Sequence, residues 1–224
     1  MTRYDFTTQP NRLNQNTMKW HEAESDPELL ELWVADMDFL PVPEIRDAVI
    51  NYAETHIFGY PYPSDELYQS IIDWEKNQHG YSVDKASIVL IEGVVPAIST
   101  AIQSFTKEDD AVLINTPVYP SFARSVRLNN RKLIENSLVK VNGHFEIDFE
   151  QLERDIVDND VKLYVFCSPH NPGGRVWTKE ELTMVADLCQ KHGVLLVSDE
   201  IHQDLALYGN KHISLNTISN AYKD

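Results

Sequence analysis

Apolar residues change rhythm along this chain. Up to about residue 86 they stand isolated among Asn, Thr and Asp or recur at helical spacing; beyond it, short apolar runs alternate with helical stripes. The runs Ile88–Ile91, Val112–Ile114 and Val194–Val197, and a stretch near Lys132–Leu138, read as strands. Leu163–Cys167 is followed by Pro169, Asn171, Pro172, Gly173 and Gly174, and has the length and bounds of a strand buried on both faces. Helical spacing follows three of these runs. Ile98, Ala101, Ile102 and Phe105 mark one helix, and Phe149, Leu152 and Ile156 a second, with Asp148 as cap and Gln151 behind it. Thr178 and Glu181 form a capping box ahead of Leu182, Val185, Ala186 and Cys189, and Gly193 closes that third helix. Strand, loop, helix and strand between Lys162 and His202 make a βαβ unit, which requires a parallel sheet.

The first part of the chain is less regular. Residues 1–40 end in LWVADMDF (Leu32–Phe39), a short strand or a loop packed on a site. Pro43 fits the first position of a helix carrying Ile45, Ala48, Val49 and Tyr52. FGYPYPSDEL (Phe58–Leu67) predicts a stiff aromatic loop before a helix with Leu67, Ile71 and Trp74. Asp204–Asp224 shows no clear element.

Charge narrows the class. Thirty-five acidic against 19 basic residues, a formal net of −16, argue against nucleic acid or an anionic membrane as partner. No apolar run approaches the roughly 20 residues of a membrane span, and MTRYDFTTQPNR lacks a signal-peptide core, so a cytoplasmic location is expected. Cys167 and Cys189 fall at core positions, and the eight His show no ligand spacing; neither a disulfide nor a metal site is expected.

In a parallel α/β sheet, ligands sit beyond the carboxyl ends of the strands. Four such ends carry candidates. Gly93 allows a close turn into a helix whose start, at Val94 and Val95, offers N–H groups to an anion, with Pro96 expected at the first helical position. No dinucleotide or P-loop fingerprint is present. Tyr119, between Pro117 and Pro120, can cover a flat ring; Asn171 supplies an amide and Asp199 a carboxylate. Each is ambiguous alone, since Asp199 could equally be a helix cap or loop acid. Together they match pyridoxal phosphate: amides for the phosphate, a ring to stack, a donor for the phenolic oxygen, a buried acid for the ring nitrogen.

The motifs LWVADMDF, FGYP, EGVVPAIS, PVYPSF, SPHNPGGRVW and SDEIHQDL resemble the fold-type I aminotransferase superfamily, class I and II, and within it the cystathionine β-lyase-like (MalY/PatB) branch. SPHNPGG and SDEIH are the specific ones. The resemblance implies a three-layer α/β/α large domain around a mostly parallel sheet. Asp199 then pairs with the ring nitrogen, Asn171 donates to the ring hydroxyl, Tyr119 stacks on the ring, and Gly93, Val94 and Val95 hold the phosphate. It also implies that Tyr60 reaches the phosphate from a partner subunit of a homodimer, and that Val34, Ala35 and Asn171 meet the substrate. His202 stands where many aminotransferases have Tyr, a departure that favours lyase chemistry.

On the same resemblance, residues 1–56 contribute to the small domain and substrate site, and 57–224 form a partial cofactor-binding domain, incomplete at its C-terminus. The family's Schiff-base lysine, in an S-x-T-K pattern downstream of D-E-x-H, and the C-terminal small domain are absent; Lys223, in NAYKD, lacks the flanking Ser and Thr, and would be the first suspect only if a lysine adduct with the cofactor were found. The missing strands would leave inner edges unpaired at Ile88 and Val194. The implied activity is a pyridoxal phosphate-dependent carbon–sulfur β-lyase. It would convert cystathionine or other cysteine S-conjugates to thiol, pyruvate and ammonia, with this chain alone inactive. The alternatives are an aminotransferase of the same superfamily or a non-catalytic remnant.

Overall fold

The structure is a computed structural model describing residues 4–13, 15–26 and 28–219. The chain forms two compact units, Met1–Tyr62 and Pro63–Asp224.

In the first unit, helix α1 (Pro43–Thr55) begins at Pro43 as expected but has no buried residue, and its Ile45 and Val49 stand exposed. LWVADMDF is a loop, not a strand. Side chains fasten it in place of a ladder. Asp38 accepts from Arg12 Nη1 at 2.9 Å, from Lys19 Nζ at 2.8 Å and from Trp20 Nε1 at 3.1 Å. Lys19 is buried, and Nζ also donates to the Asp36 carbonyl at 2.9 Å, so its charge is met by acceptors.

The second unit contains, in chain order, α2 (Asp65–Trp74), α3 (Val94–Phe105), β1 (Ala111–Thr116), α4 (Ser121–Leu128), β2 (Lys132–Ser137), β3 (Val139–Val141), β4 (His144–Glu146), α5 (Phe149–Asp158), β5 (Val161–Cys167), α6 (Lys179–His192) and β6 (Leu195–Asp199). Four strands make a parallel sheet in the order β2-β1-β5-β6. β3 and β4 form a separate hairpin whose turn, Asn142 and Gly143, has φ of 49° and 87°.

Side-chain alternation divides the core into two layers. Val112 and Ile114 of β1, with Leu163, Val165 and Cys167 of β5, pack against Ile98 and Ile102 of α3 and Phe122 and Val126 of α4. Leu113, Tyr164 and Phe166 face the other way, against Leu152 and Ile156 of α5 and Leu182, Val185 and Cys189 of α6. The result is helices on both faces of a parallel sheet, the expected three layers. A register shift, with Ala111 opposite Val161 and Val112 opposite Leu163, leaves Lys162 as an extra residue. Val161 therefore shares the Tyr164 face while Lys162 reaches solvent. Asn115 Nδ2 donates to Asn136 Oδ1 at 3.0 Å, and Tyr164 Oη donates to Asn115, tying β1, β2 and β5 together inside the core.

The caps behave as read. Asp148 accepts from Gln151 N, the Thr178–Glu181 box is complete, and Gly193 ends α6 at φ 65°. Cys167 and Cys189 are free and buried, and burial pushes their thiols up to about 11 and about 12.

Three expectations need correction. Ile88 is extended, but Ile88–Ile91 pairs with no strand among the described residues, and Val89 is 84% exposed. An apolar run becomes a strand only where a neighbour takes its backbone groups. Pro96 occupies the third position of α3, not the first; Val94 is first. Phe149 is half-buried rather than a core residue. Helix α4 has no clear sequence signal, because the prolines before it and the short span from Phe122 to Val126 hide its period. Lys223 lies outside the described residues.

Candidate functional site

The parallel strands bring their carboxyl ends to one edge. β1 ends at Thr116, two residues before the Val118–Tyr119 loop; β5 ends at Cys167, before Asn171; β6 ends at Asp199. Cys167 and Asp199 are register partners, and the Ser168 N–H donates to the Asp199 carbonyl at 2.9 Å. The Asn171 N–H in turn donates to Cys167 Sγ at 3.4 Å, so the loop after β5 is anchored beside Asp199.

That loop owes its shape to close packing. The His170 N–H donates to the Arg175 carbonyl and the Gly174 N–H to the His170 carbonyl, both at 2.8 Å. A Cβ on Gly173 would stand 2.6 Å from His170 Nδ1, so only glycine fits there. Trp177 Nε1 donates to the Cys167 carbonyl at 2.9 Å, and the Arg175 guanidinium covers the Trp177 ring at 4.7 Å and pairs with Glu181 at 2.7 Å. Burial, reinforced by Arg175, pulls the His170 imidazole down to about 4, so this ring stays neutral.

Helix α3 supplies the anion-binding end. Gly93 has φ 127°, outside the range of other residues, and no side chain caps the helix. The Ala97 N–H returns to the Gly93 carbonyl at 3.1 Å and Pro96 has no N–H, which leaves the Val94 and Val95 amides outside the helical ladder. Val94 and Asp199 line one cleft of about 620 Å³, together with Tyr81, Ile98, Val197 and Glu200. An anion held at the α3 start and a cation beside Asp199 can share this space.

Asp199 is buried, 8% exposed, and its carboxylate accepts from a single donor among the described residues, the Ile201 N–H at 3.1 Å. Burial raises its pKa; that N–H and the nearby His202 pull back, while the Glu200 charge pushes the same way as burial. A buried carboxyl so poorly solvated gains from a cationic partner. Glu200, the adjacent residue, has the opposite character. It accepts from Ser198 Oγ at 2.9 Å and the Leu215 N–H at 3.1 Å, and lies 3.0 Å from His212 Nε2. Burial works to raise its pKa, but these partners outweigh it and hold Glu200 below the ordinary glutamate value.

The remaining candidates fall outside the cleft lining. Tyr119 is 43% exposed with its ring edge-on to Phe122 at 6.3 Å, and His202 begins the 3-10 turn Gln203–Leu205. Val34, Ala35 and Tyr60 belong to the first unit, where Tyr60 is fully exposed. Glu200, His212 and Tyr81 were not singled out in the sequence; Glu200 carried one signal, its place beside Asp199, and His212 none. Ser104–Lys107 spells S-F-T-K, but it lies at the far end of α3, about 18 Å from the free amides at the helical rise, with Lys107 exposed.

Comparison with known proteins agrees with this architecture. The family model "Aminotransferase class I and II" matches residues 27–222, and the chain belongs to that family. It is 40% identical over 223 residues to cystathionine β-lyase PatB of Bacillus subtilis, covering 98% of this chain and 58% of that protein. Protein MalY of Escherichia coli is 33% identical over 86% of this chain and 50% of its own length. Among solved structures, cystalysin from Treponema denticola, which contains pyridoxal 5'-phosphate, superposes with a TM-score of 0.92 at 38% identity, over 99% of this chain and 57% of that one. The chain thus spans about half the length of the curated relatives it matches.

Proposed function

We propose that this chain carries the cofactor-binding face of a pyridoxal phosphate-dependent carbon–sulfur β-lyase acting on cystathionine or related cysteine S-conjugates. The observation that carries the reading is Asp199, a buried carboxylate with one N–H donor, in the same cleft as the uncapped start of α3. Pyridoxal phosphate, when bound, supplies an electron sink that stabilises negative charge developing at a substrate α-carbon.

The chain's own residues supply complementary groups. Val94 and Val95 present amides, and Gly93 the backbone turn, to a phosphate dianion. Asp199 keeps a pyridine nitrogen protonated, Asn171 donates to the ring hydroxyl and Tyr119 stacks on the ring face. His202 completes the wall beyond β6. Val34 and Ala35 meet the substrate, held on a loop that Arg12 and Lys19 fasten. The exposed Tyr60 serves a second subunit's phosphate in a homodimer. Among the described residues no helix is long and apolar enough to cross a membrane, in keeping with a cytoplasmic enzyme.

Two measurements test the proposal. The purified chain, titrated with pyridoxal phosphate and followed by absorbance, binds it, and Asp199→Ala weakens binding at least tenfold; no binding by the native chain overturns the cofactor assignment. The protein carrying this chain together with the lysine segment then releases thiol, pyruvate and ammonia from cystathionine. Stoichiometric amino transfer to a keto acid, without ammonia, would identify an aminotransferase instead.

A further inference from the structure

We propose that Glu200 and His212 are positioning residues: a buried clamp that fixes the turn after β6 so that the Asp199 carboxylate faces the cleft. The proposal rests on the cofactor reading above for the purpose of Asp199, though not for the existence of the clamp.

The two adjacent acids at the end of β6 divide the work. Both line the cleft, but Asp199 has one donor while Glu200 has three partners, one on β6 and two on the segment from His212 to Leu215. Ser198 belongs to β6 itself, Leu215 to the 3-10 turn Leu215–Thr217, and His212 to the segment before it. Glu200 therefore knots the end of the strand to residues more than ten positions downstream, where no ladder holds the backbone. The His212 side chain is 1% exposed, so water does not replace Glu200 as the partner of its ring.

A second layer stands behind the first. The His79 ring packs edge-on against His212 at 5.8 Å, and His79 Nε2 lies 2.9 Å from Asp204 Oδ1, which also accepts from Trp74 Nε1 at 3.1 Å. This layer ties His212 to the end of α2. Between Glu200 and Asp199 the coupling is short: the Ile201 N–H that reaches Asp199 Oδ1 is the next amide along the chain. Loss of the clamp frees that amide before it disturbs the sheet. A network with every member satisfied rigidifies its surroundings, and one missing member leaves a buried carboxylate in need of a partner.

Amide hydrogen exchange on the cofactor-free chain tests the clamp, with Ile201 as reporter and Val165 in β5 as internal reference. His212→Ala is expected to speed exchange at Ile201 and Leu215 at least tenfold with Val165 unchanged, and His212→Gln, which keeps a donor, to restore protection. Equal acceleration at Ile201 and Val165 would mean a general loss of stability, and no acceleration would mean no clamp; either overturns the proposal. If His212→Ala fails to fold, Glu200→Gln is read in the same way. In a separate arm, His212→Ala weakens pyridoxal phosphate binding about tenfold and His212→Gln does not. Absence of binding by the native chain would defeat the cofactor reading alone, leaving the clamp to be judged on exchange.

Discussion

Strand β5 and the segment Ile88–Ile91 carry similar runs of aliphatic residues in one α/β unit, and their fates differ. β5 has neighbours on both sides and is buried along six of its seven positions. Ile88–Ile91 has no paired strand among the described residues, and Val89 stands at 84% exposure. β6 lies between these extremes: paired on one side only, it is half-buried along Leu196–Ser198 and buried at Asp199. Apolar sequence supplies the tendency to be a strand; hydrogen-bonding neighbours and covering helices realise it.

Substitution can break that contrast. The largest effect is expected from Phe166→Ala in β5, which leaves a cavity in a fully buried position and costs about 3–5 kcal/mol in denaturant unfolding. Val89→Ala should change stability by less than about 0.5 kcal/mol, as an exposed position does. Equal costs would show that Ile88–Ile91 is packed as a strand in solution.

Gly93→Ala comes next. It forces a side chain into backbone with φ 127° and is expected to cost about 1–3 kcal/mol, together with loss of anion binding at α3. Stability lost with anion binding intact would separate the turn's structural role from its proposed phosphate role. Thr178→Ala removes one half of the capping box at the start of α6 and should cost about 1 kcal/mol.

The smallest effect carries a sign. The folded pKa of Asp199 is raised, so the folded state binds its proton more tightly and ionisation opposes folding as pH rises above the ordinary aspartate value. Asp199→Asn removes this opposition. Melting temperature should therefore rise modestly at neutral pH, and the gain should fade as pH falls through the aspartate range. A gain that persists in acid would locate the effect elsewhere.

Legibility followed local information. The capping box at Thr178, the cap at Asp148, the Gly193 stop and the buried runs in β1 and β5 depend on residues within a few positions of one another, and they form as expected. The placement of Asp199 and Asn171 at neighbouring strand ends was legible because the sequence marks the ends of parallel strands, and parallel strands bring those ends together. Glu200 was visible only as a neighbour of Asp199. Its partners His212 and Leu215 lie more than ten residues away with no pattern linking them.

By itself, then, the sequence determined a βαβ-built parallel sheet, the caps that delimit its helices and the family, because periodicity, capping and strand-end motifs are local properties of the chain. Tertiary structure alone decided which apolar runs became paired strands, the bulge that turns Lys162 outward and Val161 inward, and the division of two adjacent acids into one with a single donor and one with three partners. Each of those depends on what stands across the sheet or beyond a loop, and that is settled only when distant segments compete for the same space and the same hydrogen bonds.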